Sequence, residues 1–151
     1  MRRRAELCAF EFSDIKHISN ARYAIHLRSS KTDQFGEGKL LHISDTLVEL
    51  INCWKREANI EDGKILRGFF KGKSIRDKLN PSSINNILKQ LQDKAQINDI
   101  GELSGHSFRV GGAIDMLIKG IPLERIMLRG GWKSEVIAMR YLRNWQENYW
   151  E

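Results

Sequence analysis

The chain has 151 residues, with 25 lysines and arginines against 19 acidic residues and a formal net charge of +6. That length suits one domain whose single core buries roughly two thirds of the unfolded surface, and the charge favours an anionic partner. No apolar run reaches the roughly 18 residues of a membrane span, MRRR leads into no signal-peptide core, and Cys8 and Cys53 lack metal-ligand spacing, so the chain reads as cytoplasmic and reduced.

Residues 3–12 can begin helical. DIKHI at 14–18, RYAIHLRSS at 22–30 and KLLHIS at 39–44 read as short strands; Tyr23, Ile25 and Leu27 alternate with polar residues, as do Leu41 and Ile43. The intervening KTDQFGEG is a hairpin loop. From Asp45 the period changes: Leu47, Leu50, Ile51 and Trp54 mark an amphipathic helix ending near Ala58. Asn80, with Pro81 behind it, starts another, whose stripe of Ile84, Ile87, Leu88 and Leu91 reads as core. A third helix runs from about Ser107 to Lys119 and stops at Gly120. A short helix follows Pro122, and Ser134 caps a last one, EVIAMRYLRN. With no repeat and only two prolines, the expectation is one compact unit, a mainly helical α+β domain with a small three-stranded antiparallel sheet.

GHSFRVGG at 105–112 sets His106 and Arg109 on one helix face, near a helix start whose free N–H groups and positive dipole end favour an anion. The pair alone has low specificity. A histidine there is more often a cap, Trp132 a core aromatic, Tyr141 a half-buried helix residue, and a hairpin lysine a solvated turn residue. Gly111 and Gly112 weaken the helix that carries the pair; close approach of a nucleic acid and packing of a neighbouring helix explain them equally well.

Taken in order, RRAEL with Arg3 and Glu6, Lys31 after the second strand, GHSFRVGG, GGW with Trp132 and MRYLRN with Tyr141 form a set. Twenty-three positions separate Arg109 from Trp132, and nine more lead to Tyr141. On these motifs the chain resembles the catalytic domain of the tyrosine recombinases, the phage integrase family. The resemblance implies the α+β fold of that domain and a site-specific DNA recombinase or integrase that works through a 3′-phosphotyrosyl bond. It makes Tyr141 the nucleophile, Arg3 and Arg109 the clamp on the phosphate oxygens, His106 the base, and Lys31 the proton donor to the leaving 5′-oxygen; Lys39 is a rival in the same hairpin. Glu6 is implied as an orienting group. Trp132 stands where most family members carry histidine, which limits it to donating its indole N–H and positioning the nucleophile.

These residue types suit the chemistry. Attack on a phosphodiester gathers negative charge on the non-bridging oxygens, which preorganised arginine forks stabilise in the transition state. No metal or other cofactor is expected, so the reaction should resist EDTA. The implied partner is double-stranded DNA, with a synaptic tetramer in the full-length protein, no membrane, and a nucleoid-associated location. Arg28, Lys71, Lys73 and Arg76 are candidate contacts to the DNA backbone. Family members carry more chain ahead of the first arginine, so the sequence reads as an N-terminally truncated catalytic domain. Two rival readings share the motifs: type IB topoisomerase-like strand passage, and a non-catalytic DNA-binding remnant. A generic basic domain is the last alternative.

Overall fold

A computed structural model describes residues 2–20, 22–30, 38–70 and 74–142. The chain forms two compact units, one comprising Arg4–Ser83 and the other Met1–Arg3 with Ile84–Glu151.

The Arg4–Ser83 unit opens with helix α1 (Arg4–Ala9) and a 3-10 turn at Phe12–Asp14. Strands β1 (Ile15–Ser19), β2 (Arg22–Leu27) and β3 (Lys39–Ile43) follow as an antiparallel sheet in the order β1-β2-β3. Register pairs Ile25 with Ile15 on one side and with Leu41 on the other. The alternation seen in the sequence sets the buried face: Ile25, Leu27, Leu41 and Ile43 join Phe10, Phe12, Ile60 and Ile65 in the core.

Helix α2 (Asp45–Glu57) closes this core, capped by Ser44, whose hydroxyl accepts from the Leu47 N–H at 3.3 Å. Its buried face differs from the expected stripe. Val48 is buried, Ile51 and Trp54 pack against the core, and Leu50 is 62% exposed with Leu47 also outside. Five large apolar residues crowd this helix, more than one face can hold, and the face chosen is the one that lets the Trp54 indole donate to the Ile65 carbonyl at 2.8 Å.

Beside the sheet, Asp14 is buried and accepts from Arg28 Nε at 2.6 Å and from the Glu11 N–H at 2.9 Å. Arg28 also reaches Glu11 at 2.7 Å, and Lys64 reaches the same carboxylate at 2.8 Å. Lys64 first, and Arg28 after it, hold the Glu11 carboxyl below its ordinary value. Asp14→Ala removes the buried acceptor and is expected to lower stability by about 1–3 kcal/mol, read from the urea midpoint.

FFKGKSIRDK, which reads in sequence as a basic solvated face, contains a two-stranded antiparallel sheet of β4 (Phe69–Phe70) and β5 (Ser74–Ile75). Strands of two residues carry no readable periodicity.

The second unit is helical. In α3 (Ser83–Lys94) the start falls later than expected, because Asn80 Oδ1 accepts from the Ser82 N–H at 3.0 Å and forms a turn ahead of the helix. The stripe read as core is only partly so: Ile84 is buried, while Leu91 is 56% exposed and Ile87 is exposed too. Polar residues of α3 instead hold the segment that leads to α4 (Gly105–Ile118). Buried Gln92 donates to the Ile97 carbonyl at 3.0 Å and accepts from the Leu103 N–H at 2.8 Å; Asn85 accepts from the Gly105 N–H at 3.1 Å. Helices α5 (Leu123–Gly130) and α6 (Glu135–Leu142) complete the unit, with Ala113, Ile126, Trp132, Ala138 and Leu142 at its core. Among the described residues no helix is long and apolar enough to cross a membrane.

Candidate active site

Helix α4 brings the first pair. Ser104 caps it by accepting from the Ser107 N–H at 3.2 Å, and Ser107 returns the bond by accepting from the Ser104 N–H at 3.2 Å. With the Gly105 N–H already on Asn85, two first-turn donors are spent inside the protein. The helix start is therefore a weaker anion holder than the sequence suggests. His106 is exposed and Arg109, one turn on, is 6% exposed.

GGW explains how Arg109 is held. Helix α5 ends at Gly130, Gly131 turns the chain in the left-handed region at φ +67°, and the Trp132 N–H donates back to the Met127 carbonyl at 3.0 Å. The indole then lies against Gly130, where an added Cβ would sit 2.3 Å from Cε3, so no larger residue fits without displacing the ring. Arg109 stacks its guanidinium 4.7 Å from the indole centroid and donates from Nη2 to the Gly130 carbonyl at 2.6 Å. Arg2 donates to the neighbouring Arg129 carbonyl, so two cations meet the C-terminal end of the α5 dipole. Trp132 is buried, yet its Nε1 has no hydrogen-bond partner among the described residues.

Tyr141 arrives on α6, whose first turn closes through the Ala138 N–H to the Ser134 carbonyl at 3.1 Å. Its ring lies 5.2 Å from that of Trp132 and 5.0 Å from that of His106. An open cleft of about 570 Å³ follows, lined by His106, Ser107, Val110, Gly111, Ile114, Arg140 and Tyr141.

Four expected site residues, His106, Arg109, Trp132 and Tyr141, thus form one run of contacts. Arg3 groups with the same unit, half-buried just ahead of α1. Glu6 is buried on α1 in the Arg4–Ser83 unit. Lys31, Lys71 and Lys73 lie outside the described residues, and Lys39 is exposed at the start of β3. Arg28, expected on the DNA backbone, is engaged by Asp14, Glu11 and Ser13, and Arg76 sits over the Phe70 ring at 5.0 Å. Sequence reasoning missed Arg140 and Gly130; both lie inside the quoted motifs, Arg140 next to Tyr141 and Gly130 two positions before Trp132.

The model of the Phage integrase family matches residues 1–148. The chain belongs to that family. It is similar to recombinase cre of Escherichia phage P1, at 26% identity over 153 aligned positions that cover 93% of this chain. The chain spans 45% of that relative's length. The mainly helical α+β fold with its three-stranded antiparallel sheet agrees with a tyrosine recombinase catalytic domain of this integrase family.

Proposed function

We propose that the chain is the DNA-cleaving and rejoining domain of a site-specific recombinase that works through a 3′-phosphotyrosyl intermediate. Tyr141 Oη attacks the scissile phosphorus, the P–O5′ bond breaks, and the DNA 3′ end is carried on the tyrosine. A phenol keeps its proton at neutral pH, so attack needs an acceptor, and the exposed His106 imidazole beside the Tyr141 ring is suited to that role. The leaving 5′-oxygen takes a proton from Lys31 on the family pattern. Arg109 and Arg3 bind the non-bridging oxygens, and Glu6 orients basic neighbours. Rejoining reverses these steps with a 5′-hydroxyl from another strand. Double-stranded DNA is the partner, with Arg76, Lys71 and Lys73 on its backbone, and strand exchange takes place in a synaptic tetramer of the full-length protein.

The observation that carries this reading is the Trp132 Nε1, buried next to the Tyr141 ring and the Arg109 guanidinium and without a hydrogen-bond partner among the described residues. A buried donor left unsatisfied costs about 1–3 kcal/mol, and an incoming phosphate oxygen would complete it.

The test is a nicked suicide duplex, from which the cleaved strand diffuses away. The native chain is expected to accumulate a denaturant-stable covalent complex, in EDTA as well as without it. Trp132→Phe removes the indole N–H together with part of the ring packed on Gly130; trapping should slow about 10²-fold, and the urea midpoint should fall by the equivalent of about 1–3 kcal/mol. Equal rates would remove Trp132 from contact with the phosphate. Duplex binding with no trapping by the native chain would favour the non-catalytic DNA-binding remnant.

A further inference from the structure

The cleft beside Tyr141 has features that neither the proposed chemistry nor the fold uses. It extends along α4 from His106 to Ile114, eight residues or about 12 Å at 1.5 Å per residue, which is longer than a single phosphate requires. Its volume, about 570 Å³, would accept a mono- to dinucleotide segment. No aspartate or glutamate lines it among the described residues, while Arg140 and His106 do.

Arg140 is exposed and makes no ion pair among the described residues. Placed next to the residue that would attack phosphorus, an unneutralised guanidinium favours a polyanion along the cleft. Gly111 gives the second observation. A glycine inside a helix lowers its stability and needs a reason. Its φ is outside the left-handed region, so the backbone does not require glycine, and an added Cβ would meet nothing within 4 Å among the described residues, so their packing does not require it either. Of the two explanations open in the sequence, no neighbouring helix among the described residues supplies the packing one. What remains is the space itself: α4 presents bare backbone to the cleft between Val110 and Ile114, whose apolar surfaces suit the faces of deoxyribose.

We propose that this cleft is a second DNA-binding subsite that holds the sugar-phosphate segment adjoining the scissile phosphate, with Arg140 bound to a flanking phosphate and Gly111 keeping α4 clear for the backbone. The proposal rests on the recombinase reading and adds two residues to it. Both act on DNA placement, not on bond breaking.

The experiment measures duplex affinity against salt concentration for the native chain and three variants, together with thermal midpoints and suicide-duplex trapping. Arg140→Gln is expected to weaken binding and to reduce the slope of log K against log salt by about 0.9, the signature of one lost phosphate contact. Lys119→Gln makes the same charge change at the far end of α4 and should leave the slope as it is. Gly111→Ala should raise the thermal midpoint by about 2–4 °C while weakening binding about tenfold, a combination that a packing role cannot produce. Native slope and affinity in both Arg140→Gln and Gly111→Ala, with the native chain binding and trapping DNA, would overturn the subsite and leave the recombinase reading standing. A lowered thermal midpoint in Gly111→Ala would overturn the clearance role. A native chain without salt-dependent duplex binding would overturn both readings together.

Discussion

Tyr141→Phe is expected to yield no covalent protein–DNA complex at any incubation time, while its stability stays within about 0.5 kcal/mol of the native chain. The substitution deletes one oxygen and keeps the ring. That ring makes the contacts that matter for packing, against His106, Trp132 and the core of the second unit, whereas the hydroxyl makes no hydrogen bond among the described residues. Duplex affinity should therefore survive. Proteolysis of the native adduct should leave a nucleotide remnant on the peptide that contains Tyr141, and a remnant on any other peptide would assign the nucleophile elsewhere.

Arg109→Ala is the second large effect, and it acts on both folding and chemistry. Truncation leaves the buried Gly130 carbonyl without its donor and strips the guanidinium from the Trp132 face, for an expected loss of about 2–4 kcal/mol. Covalent trapping should fall by at least about 10²–10³-fold, the usual effect of removing one donor that meets transition-state charge. Arg109→Lys separates the two roles. An ammonium can still donate to the Gly130 carbonyl and recover part of the stability, but one point charge cannot bond that carbonyl and a phosphate with a planar fork at once. Its urea midpoint should lie between those of the native chain and Arg109→Ala, with trapping as slow as in the alanine variant. Native-rate trapping by Arg109→Lys would mean that the guanidinium is structural only.

Much of the fold could be read from periodicity, and the reasons differ by element. Strands β1 to β3 were legible because one face of the sheet is buried and the other wet, which writes a two-residue alternation into RYAIHL and KLLHI. Helices α4, α5 and α6 announced their ends through Gly120, Pro122 and Ser134. Apolar stripes misled on α2 and α3, where more large residues occur than one buried face accepts; which of them go inside was settled by partners distant in sequence, the Ile65 carbonyl for Trp54 and the Leu103 N–H for Gln92. Of the site, the motifs were legible through family resemblance, but the support beneath them was not. That Gly130 must be small follows only once the Trp132 ring is seen folded back upon it, and that Gly111 meets no neighbour among the described residues follows only from the folded chain.

The bond from Arg2 to the Arg129 carbonyl joins residues 127 positions apart. A ribosome therefore makes the donor long before the acceptor exists. The whole Arg4–Ser83 unit is synthesised in that interval, so its sheet can close on its own contacts while the second unit waits for α5. Assembly of the run from Arg109 through Trp132 to Tyr141 is thus a late event in the life of each chain, and a nascent protein holds a finished first core well before its second unit is complete.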